Sequence, residues 1–222
     1  MFDWKFDGAI FDLDGTLLDS MGVWREVDRR FLGRRGILYE EDYAEKMAAL
    51  YYDLAAQYTI ERYSLRETPQ EVMREWDELA RDEYINDVKL IPGAAEYLAR
   101  LSAAGVKLAF ATSNNDYLAL PALETHGILH YFAAHAYTRE TGKDKSEPDV
   151  YLLAAERLGM EPGRCVVFED VPRCVRGAKR GGFRVVAVAC GAGTEARAEL
   201  EGCADAVIED FTRLCGAEEK GR

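Results

Sequence analysis

The sequence predicts an α/β fold, a doubly wound parallel Rossmann-like sheet into which an all-helical domain is inserted. Short apolar runs alternate with amphipathic stretches of helical spacing over most of the 222-residue chain. Such alternation is typical of a parallel sheet that helices cover on both faces. After the first apolar run, aromatic and charged residues instead recur at helical spacing without β-branched runs. We therefore expect a core domain of residues 1–17 and 89–222 and a helical domain of residues 18–88.

The first strand and the inserted helices have distinct sequence signals. Ala9-Ile10-Phe11 is an apolar run that predicts a short buried strand. In the insert, apolar positions predict one helix through residues 24–32 and a second over residues 42–58. A third helix should begin at Thr68-Pro69-Gln70-Glu71, where Thr68 is the expected N-cap, proline takes the first helical position and glutamate the third.

The remainder of the chain alternates between helix and strand patterns. Pro92-Gly93 should open a helix that Gly105 stops. The elements that follow are predicted in this order: a strand at 106–112, a helix near 115–126, a strand near 133–138, a helix near 149–158, a strand at 165–168, a helix near 172–181, a strand at 184–188, and a short strand at 206–208 before a last turn of helix.

One segment resembles a dinucleotide-binding fingerprint. Gly191-Ala192-Gly193-Thr194-Glu195-Ala196 has the form G-x-G-x-x-A and follows a predicted strand. Too little chain remains after it for a complete nucleotide-binding unit. We therefore interpret it as a loop with Thr194 as an N-cap.

Composition excludes several classes of protein. The net charge of −12 argues against a nucleic-acid binder, which usually carries a basic surface. The number of cysteines is five, and no C-x-x-C pair occurs, so reduced structural cysteines are expected. No apolar run approaches the length of a membrane span, and the N-terminus lacks a signal-peptide pattern. These features predict a cytoplasmic protein without membrane or nucleic-acid partners. They do not distinguish a monomer from a homodimer, and both are carried as expectations.

Polar residues collect where the predicted strands end. Asp12 and Asp14 follow the first strand at alternate positions, so they share a side if the strand continues. Thr112-Ser113-Asn114 ends the second core strand, and Glu169-Asp170 ends the fourth. The loop before the fourth strand carries Lys143-Asp144-Lys145-Ser146-Glu147-Pro148-Asp149. Because ligands of such sheets bind beyond the carboxyl ends of the strands, these residues predict a site there.

Each of these signals also has a plainer interpretation. Asp12 and Asp14 could be turn residues at a strand end. Thr112-Ser113-Asn114 could cap the next helix, and Glu169-Asp170 could be a solvated acidic turn. Lys143 competes with Lys145 as the functional lysine of its loop. The order and spacing of all four motifs together favour a functional site.

These motifs resemble those of the haloacid dehalogenase superfamily, which consists mostly of phosphatases. Asp12-Leu13-Asp14-Gly15-Thr16 matches the D-x-D-G-T/V motif, and Thr112 matches the second motif, a strand that ends in Thr or Ser. Lys145 stands in K-x-x-P-D as the third motif, and Glu169-Asp170 is the fourth. Ser146 and Glu147 depart from the usual proline and small residue. The helical insert lies where the β-phosphoglucomutase-like and phosphoglycolate-phosphatase-like branch carries its cap domain.

The resemblance implies a division of roles. Asp12 would be the nucleophile that forms an aspartyl-phosphate, and Asp14 the general acid and then the general base. Lys145 would neutralise charge between Asp12 and the phosphoryl group, and Thr112 would donate a hydrogen bond to that group. Mg²⁺ is the implied cofactor, and its ligands would be the Asp12 carboxylate, the Asp14 main-chain carbonyl, Asp170 and, directly or through water, Glu169. Substrate phosphate contacts are expected from Gly15, Thr16, Ser113 and Asn114.

We therefore expect a Mg²⁺-dependent phosphatase that acts on a small phosphorylated metabolite. A phosphomutase of the β-phosphoglucomutase type shares every motif, although no G-x-x-R-like loop stands near residues 45–52. Carbon–halogen cleavage is disfavoured, because the branch that performs it lacks an acid at the position of Asp14. A non-catalytic phosphate-binding or regulatory protein on the same scaffold is the remaining alternative.

Overall fold

The first predicted strand lies inside a parallel sheet. A computed structural model describes residues 4–48, 50 and 52–215. Its strands in chain order are β1 (Gly8–Phe11), β2 (Leu18–Asp19), β3 (Lys89–Leu90), β4 (Lys107–Thr112), β5 (Phe132–Tyr137), β6 (Cys165–Glu169), β7 (Arg184–Val188) and β8 (Ala206–Ile208). Six of them form one parallel sheet in the order β5-β4-β1-β6-β7-β8. The chain therefore runs outward from β1 in both directions, which confirms the predicted doubly wound α/β fold.

Helices connect the strands and form a separate unit of their own. In chain order they are α1 (Val23–Arg34), α2 (Glu41–Ala48), α3 (Tyr52–Tyr63), α4 (Pro69–Asn86), α5 (Ala94–Ala103), α6 (Asp116–Thr125), α7 (Thr138–Thr141), α8 (Asp149–Leu158), α9 (Pro172–Arg180), α10 (Thr194–Cys203) and α11 (Thr212–Cys215). The chain divides into two compact units, residues 1–20 with 89–222 and residues 21–88. The first unit contains the sheet and the second contains α1–α4. That residues 18–88 act as a cap domain stays a prediction.

Three neighbouring strands reach one edge of the sheet in register. Phe11 of β1 is paired with Phe110 of β4 on one side and with Phe168 of β6 on the other. All three side chains are fully buried, and the rings of Phe11 and Phe168 stack with centroids 4.5 Å apart. The backbone amide of Asp12 continues the pairing by donating to the Phe168 carbonyl at 3.0 Å. The residues that follow these phenylalanines therefore meet at one edge of the sheet.

A short antiparallel ribbon, β2 with β3, was not predicted from the sequence. It joins the two chain segments on either side of residues 21–88, with Leu18 opposite Leu90. The amide of Ile91 donates to the Leu17 carbonyl at 2.8 Å, and Leu17 and Leu18 are fully buried. The ribbon therefore anchors the turn that follows Asp12 and Asp14.

The predicted start of the third inserted helix is confirmed. Thr68 has extended backbone angles, and α4 begins at Pro69. The Thr68 hydroxyl accepts a hydrogen bond from the Glu71 amide at 3.3 Å, and the Glu71 carboxylate accepts one from the Thr68 amide at 2.8 Å. This reciprocal pair satisfies two donors that a helix otherwise leaves unpaired.

The prediction of one helix over residues 42–58 was wrong, because α2 ends at Ala48 and α3 begins at Tyr52. Residues 49 and 51 of that range lie outside the described residues. The Tyr43 hydroxyl lies 2.9 Å from the Thr59 hydroxyl. In a single helix these residues would be about 24 Å apart, so the chain must turn back between them. Tyr43 of α2 and Ala55 and Ala56 of α3 are buried, so apolar positions recur on both sides of the turn and resemble one helical stripe in the sequence.

The interpretation of Thr194 as an N-cap was also wrong. Thr194 is the first residue of helix α10, whose extent was not predicted, and Gly193 takes the N-cap position with extended backbone angles. Leu200 is the buried residue of this helix. Such sparse burial explains why the sequence shows no helical stripe there.

Two expectations from composition can be compared with the structure. All five cysteines are free thiols. Over the described ranges, none of the helices combines the length and the hydropathy that crossing a membrane requires.

Asp28 is an ionisable side chain inside the helical unit. It is 8% exposed, and its carboxylate accepts a hydrogen bond from the Tyr43 hydroxyl at 3.4 Å. Burial raises the pKa of Asp28 to about 7, against the opposing effect of the Tyr43 hydrogen bond. The charged form is therefore less stable in the folded chain than in water.

Replacement of this carboxylate, Asp28→Asn, should make the free energy of unfolding less sensitive to pH. Because the pKa of Asp28 is higher in the folded than in the unfolded chain, the wild type loses stability as pH rises from about 4 to about 7. The variant should therefore gain about 2 kcal/mol relative to the wild type between about pH 5 and about pH 7. Urea unfolding of both proteins measures the difference in their free energies of unfolding. If this difference does not change with pH, the pKa of Asp28 is not raised in the folded chain.

Candidate active site

The predicted acidic residues lie together at the carboxyl edge of the sheet. Asp12 directly follows β1, Thr112 is the last residue of β4, and Glu169 is the last residue of β6. Because β1 pairs with both β4 and β6, these three side chains start from adjacent strands. All three are buried, whereas Asp14 and Asp170 are partly exposed. The strand order thus brings distant parts of the sequence to one place.

Lys145 is the cation of this cluster. Its side chain is buried, and its Nζ donates to Asp12 Oδ1 and forms an ion pair with Glu169 Oε1. Burial opposes the charged ammonium, but the attraction of both carboxylates outweighs it and raises the pKa of Lys145 above its ordinary value. Lys143 is instead exposed and pairs with Asp149 at 3.0 Å. Of the two candidate lysines, the structure therefore brings Lys145 into the cluster.

A close backbone contact holds the loop of Lys145 against α9. A Cβ atom added at Gly177 would lie 2.3 Å from the Lys145 carbonyl oxygen, so only glycine allows this approach. Arg180 donates a hydrogen bond to the Ser146 carbonyl. Asp144 Oδ1 accepts the Ser146 amide at 2.8 Å and so closes the turn. The departure at Ser146 from the usual proline is therefore compatible with an ordered loop.

Glu169 has both carboxylate oxygens occupied by donors. Besides Lys145, Oε1 accepts the Tyr151 hydroxyl at 2.9 Å. Oε2 accepts the backbone amides of Asp170 at 2.9 Å and Val171 at 3.2 Å. Tyr151 is fully buried in α8 and was not singled out in the sequence, where it reads as part of an apolar helix face. This arrangement fixes Glu169 as a rigid partner of Lys145.

Asp14 is oriented by two side chains from different parts of the chain. The Ser20 hydroxyl donates to Asp14 Oδ1 at 2.6 Å, and Asn114 Nδ2 donates to Oδ2 at 3.0 Å. Ser20 directly follows β2 and was not predicted as a site residue. Ser113 is exposed. Whether Ser113 and Asn114 contact a substrate phosphate stays a prediction.

Gly15 and Thr16 form the turn that follows β1 and Asp14. Gly15 has φ of 85°, a left-handed conformation that favours glycine, and its amide donates to the Leu18 carbonyl at 2.8 Å. The buried Thr16 hydroxyl lies 3.5 Å from Asp170 Oδ1. Thr16 is thus placed beside the acidic pair, and phosphate contacts from Gly15 and Thr16 stay predictions.

Thr112 does not act as a helix cap. The helix α6 begins at Asp116, and its N-cap, Asn115, makes no side-chain cap bond. The Thr112 Oγ1 atom instead accepts the Asn114 amide at 2.9 Å. Because that amide supplies the proton of this bond, the hydroxyl proton of Thr112 can be donated to another group.

The cluster carries more negative than positive charge. One oxygen each from Asp12, Glu169 and Asp170 lie within 4.8 Å of one another. Burial raises the pKa of Asp12 well above its ordinary value, although Lys145 opposes this. Burial and the neighbouring Glu169 raise the pKa of Asp170 to about 7. Closely spaced carboxylate oxygens of this kind fit a hard divalent cation such as Mg²⁺, which would relieve their repulsion.

Removal of the buried ammonium, Lys145→Met, should destabilise the protein strongly. It leaves the carboxylates of Asp12 and Glu169 buried without their cation, which costs about 3 kcal/mol in the free energy of unfolding. The matched control is Lys143→Met, which removes an exposed ion pair to Asp149 and should cost less than about 0.5 kcal/mol. Urea unfolding in metal-free buffer compares the two, and equal losses would show that Lys145 is not the cation of the cluster.

The chain is similar to known proteins over most of its length. A family model described as haloacid dehalogenase-like hydrolase matches residues 9–188. The chain is 30% identical over 187 residues to the fructose-1-phosphate phosphatase of Escherichia coli, covering 83% of this chain and 97% of that protein. It is 30% identical over 199 residues to hexitol phosphatase A of Escherichia coli, covering 87% and 88%. A solved structure from Thermotoga maritima, provisionally described as a β-phosphoglucomutase, is 27% identical with a TM-score of 0.82, covering 91% and 94%.

Proposed function

Because the chain belongs to the haloacid dehalogenase-like hydrolase family, as its four motifs predicted, we propose that it is a Mg²⁺-dependent phosphatase that hydrolyses a small phosphorylated metabolite through an aspartyl-phosphate on Asp12. The observation that carries the proposal is the environment of Asp12. Its Oδ1 atom is held by the buried Lys145, and no donor among the described residues contacts Oδ2. One carboxylate oxygen is thus anchored while the other remains available to attack phosphorus.

In the first step, Asp12 attacks the phosphoryl group and displaces the alcohol. A bond forms between the Asp12 carboxylate oxygen and phosphorus while the bond between phosphorus and the alcohol oxygen breaks. Asp14, in its acid form, donates its proton to the departing oxygen. The hydrogen bonds from Ser20 and Asn114 hold the Asp14 carboxyl group in one orientation for this transfer.

In the second step, water releases the phosphoryl group from Asp12. Asp14 is now a carboxylate and takes a proton from the attacking water, so that inorganic phosphate leaves and Asp12 is regenerated. Each residue thus returns to its starting state. Lys145 stabilises the negative charge on Asp12 and on the phosphoryl oxygens in both steps, and Thr112 supplies a hydroxyl donor.

The proposed Mg²⁺ ligands are the Asp12 carboxylate, the Asp14 main-chain carbonyl and Asp170, with Glu169 acting directly or through water. When bound, Mg²⁺ would neutralise charge on the phosphoryl oxygens. Both Glu169 oxygens already accept hydrogen bonds from the protein, which favours an indirect role for this residue. Its main contribution would then be to hold Lys145 in place.

The class of substrate is supported by the names of the relatives. The similar Escherichia coli proteins are named a fructose-1-phosphate phosphatase and a hexitol phosphatase. A phosphorylated sugar or polyol is therefore the first class to test. The shared motifs leave a phosphomutase reaction as the alternative outcome.

The test is phosphate release from a panel of sugar phosphates, phosphoglycolate and p-nitrophenyl phosphate, with Mg²⁺ and with a chelator. We expect release that requires Mg²⁺. Asp170→Asn should weaken Mg²⁺ binding at least about tenfold, read both from activity and from the rise in melting temperature that Mg²⁺ produces. Metal-independent release would contradict the proposal. Conversion of β-glucose 1-phosphate to glucose 6-phosphate with a bisphosphate primer, without phosphate release, would identify a phosphomutase.

A further inference from the structure

A hydroxyl group lies inside the apolar core next to the acidic cluster. Tyr151 is fully buried in α8, and its ring packs against that of Phe183, with centroids 6.3 Å apart at 63°. A phenylalanine would fill the same space, whereas a buried hydroxyl costs free energy unless it is hydrogen bonded. In the described part of the chain, its partner is Glu169 Oε1, which accepts the bond at 2.9 Å. The hydroxyl therefore acts on Glu169 rather than on the packing of the core.

This hydroxyl limits how Lys145 can approach Glu169. A carboxylate oxygen has two acceptor positions. At Glu169 Oε1 the Tyr151 hydroxyl takes one position and the Lys145 ammonium takes the other, while Oε2 accepts two backbone amides. Lys145 can therefore form a single bond to Glu169, and a second of its three hydrogens is donated to Asp12 Oδ1. Among the described residues, this leaves its third hydrogen for a phosphoryl oxygen.

The ring of Tyr151 makes a second contact with the same ammonium. Lys145 Nζ lies 5.5 Å from the centroid of the ring, within the range of cation–π attraction. Tyr151 follows Lys145 by six residues, and α8 begins between them at Asp149. The loop that supplies the lysine is thus followed directly by a helix whose buried tyrosine holds the ammonium from a second side.

We propose that Tyr151 is a positioning residue for the reaction. Through Glu169, and through the face of its own ring, it holds the Lys145 ammonium where the ammonium anchors Asp12 Oδ1. Without the hydroxyl, an acceptor position opens on Glu169 and the ammonium shifts toward it. Its bond to Asp12 then weakens, and the carboxylate turns away from the orientation that attacks phosphorus. The effect on catalysis rests on the proposed function, whereas the effect on the ammonium does not.

The first test measures the ammonium itself, without metal or substrate. The lysine side chains are labelled with nitrogen-15, and Lys145→Arg assigns the Lys145 signal in the nuclear magnetic resonance spectrum. Exchange of its ammonium protons with water should be about tenfold faster in Tyr151→Phe than in the wild type, because a hydrogen bond that fixes Glu169 is lost. The matched control is Tyr97→Phe, which removes the hydroxyl of another buried tyrosine, packed against Phe168, and should leave this exchange unchanged.

The second test is hydrolysis of p-nitrophenyl phosphate at saturating Mg²⁺. Tyr151→Phe should lower kcat about tenfold and leave KM within about twofold, since the orientation of Asp12 matters in the transition state rather than in substrate binding. A tyrosine that served only to pack the core would lose nothing here, because phenylalanine keeps the ring. Tyr97→Phe should match the wild type in both constants, and urea unfolding confirms that both variants are folded.

The inference is overturned if the Lys145 ammonium exchanges in Tyr151→Phe as it does in Tyr97→Phe. It is also overturned, without any variant of Tyr151, if the wild-type Lys145 ammonium exchanges as fast as that of the exposed Lys143.

The two proposals fail in different ways. If the wild type releases no phosphate while the ammonium of Lys145 still exchanges faster in Tyr151→Phe, the phosphatase proposal falls and the hold of Tyr151 on Lys145 is supported. If the wild type releases phosphate and kcat is unchanged in Tyr151→Phe, the phosphatase is supported and the positioning role falls.

Discussion

Replacement of the proposed nucleophile, Asp12→Asn, should abolish phosphate release, with a loss of at least about 10⁴-fold in kcat. The amide cannot form the aspartyl-phosphate, and it no longer balances the charge of Lys145. The fold should survive, because burial disfavours the charged form of Asp12 and Lys145 keeps its ion pair with Glu169. The measurement is phosphate release in the presence of Mg²⁺, with urea unfolding as a check on folding.

The matched control lies seven residues later in the same segment. Asp19 is exposed in β2, and Asp19→Asn should retain activity close to that of the wild type. Activity of Asp12→Asn within about tenfold of the wild type would rule out covalent catalysis by Asp12, since tenfold is far less than the loss of a nucleophile costs.

A change at the second aspartate, Asp14→Asn, should have an effect that depends on the leaving group. For an alkyl phosphate, the variant can neither protonate the departing alcohol nor activate water, and kcat should fall about 10³-fold. For p-nitrophenyl phosphate, the departing phenolate needs no proton. A rapid burst of p-nitrophenol, one per enzyme molecule, should therefore precede very slow turnover.

A second variant, Ser20→Ala, tests the orientation of the Asp14 carboxyl group. It keeps the Asp14 carboxyl group but removes the Ser20 hydrogen bond that helps to orient it, so a loss of about tenfold in kcat is expected. Stopped-flow measurement of p-nitrophenol separates the two steps. Steady turnover of p-nitrophenyl phosphate by Asp14→Asn at the wild-type rate, without a burst, would refute the assignment of Asp14 as the acid and base.

Much of the core fold could be predicted because its signals are local. An apolar run of strand length can be recognised from a few consecutive residues. The strands β1, β4, β6 and β7 lie where such runs predicted them. The Thr68 cap is likewise a local motif. The division between α2 and α3 could not be predicted, because the contact that reveals it, Tyr43 with Thr59, forms only when the helices pack.

The candidate site shows the same division between local and tertiary information. Asp12 and Glu169 could be found because polar residues at strand ends stand out against apolar strands, and Lys145 because it stands in the K-x-x-P-D motif. Tyr151 could not, because its hydroxyl is a single polar atom on the apolar face of α8. Ser20 could not, because its contact with Asp14 depends on the turn that the β2–β3 ribbon anchors.

The central claim is that Asp12 carries the phosphoryl group during the reaction. The most direct measurement is peptide mapping by mass spectrometry of the Asp14→Asn protein, quenched in acid after mixing with p-nitrophenyl phosphate and Mg²⁺. We predict a phosphoryl group on the peptide that contains Asp12, assigned to that side chain by fragmentation and absent when Asp12→Asn is added. Release of p-nitrophenol with the Asp12 peptide unmodified, or with the phosphoryl group on another residue, would contradict this account.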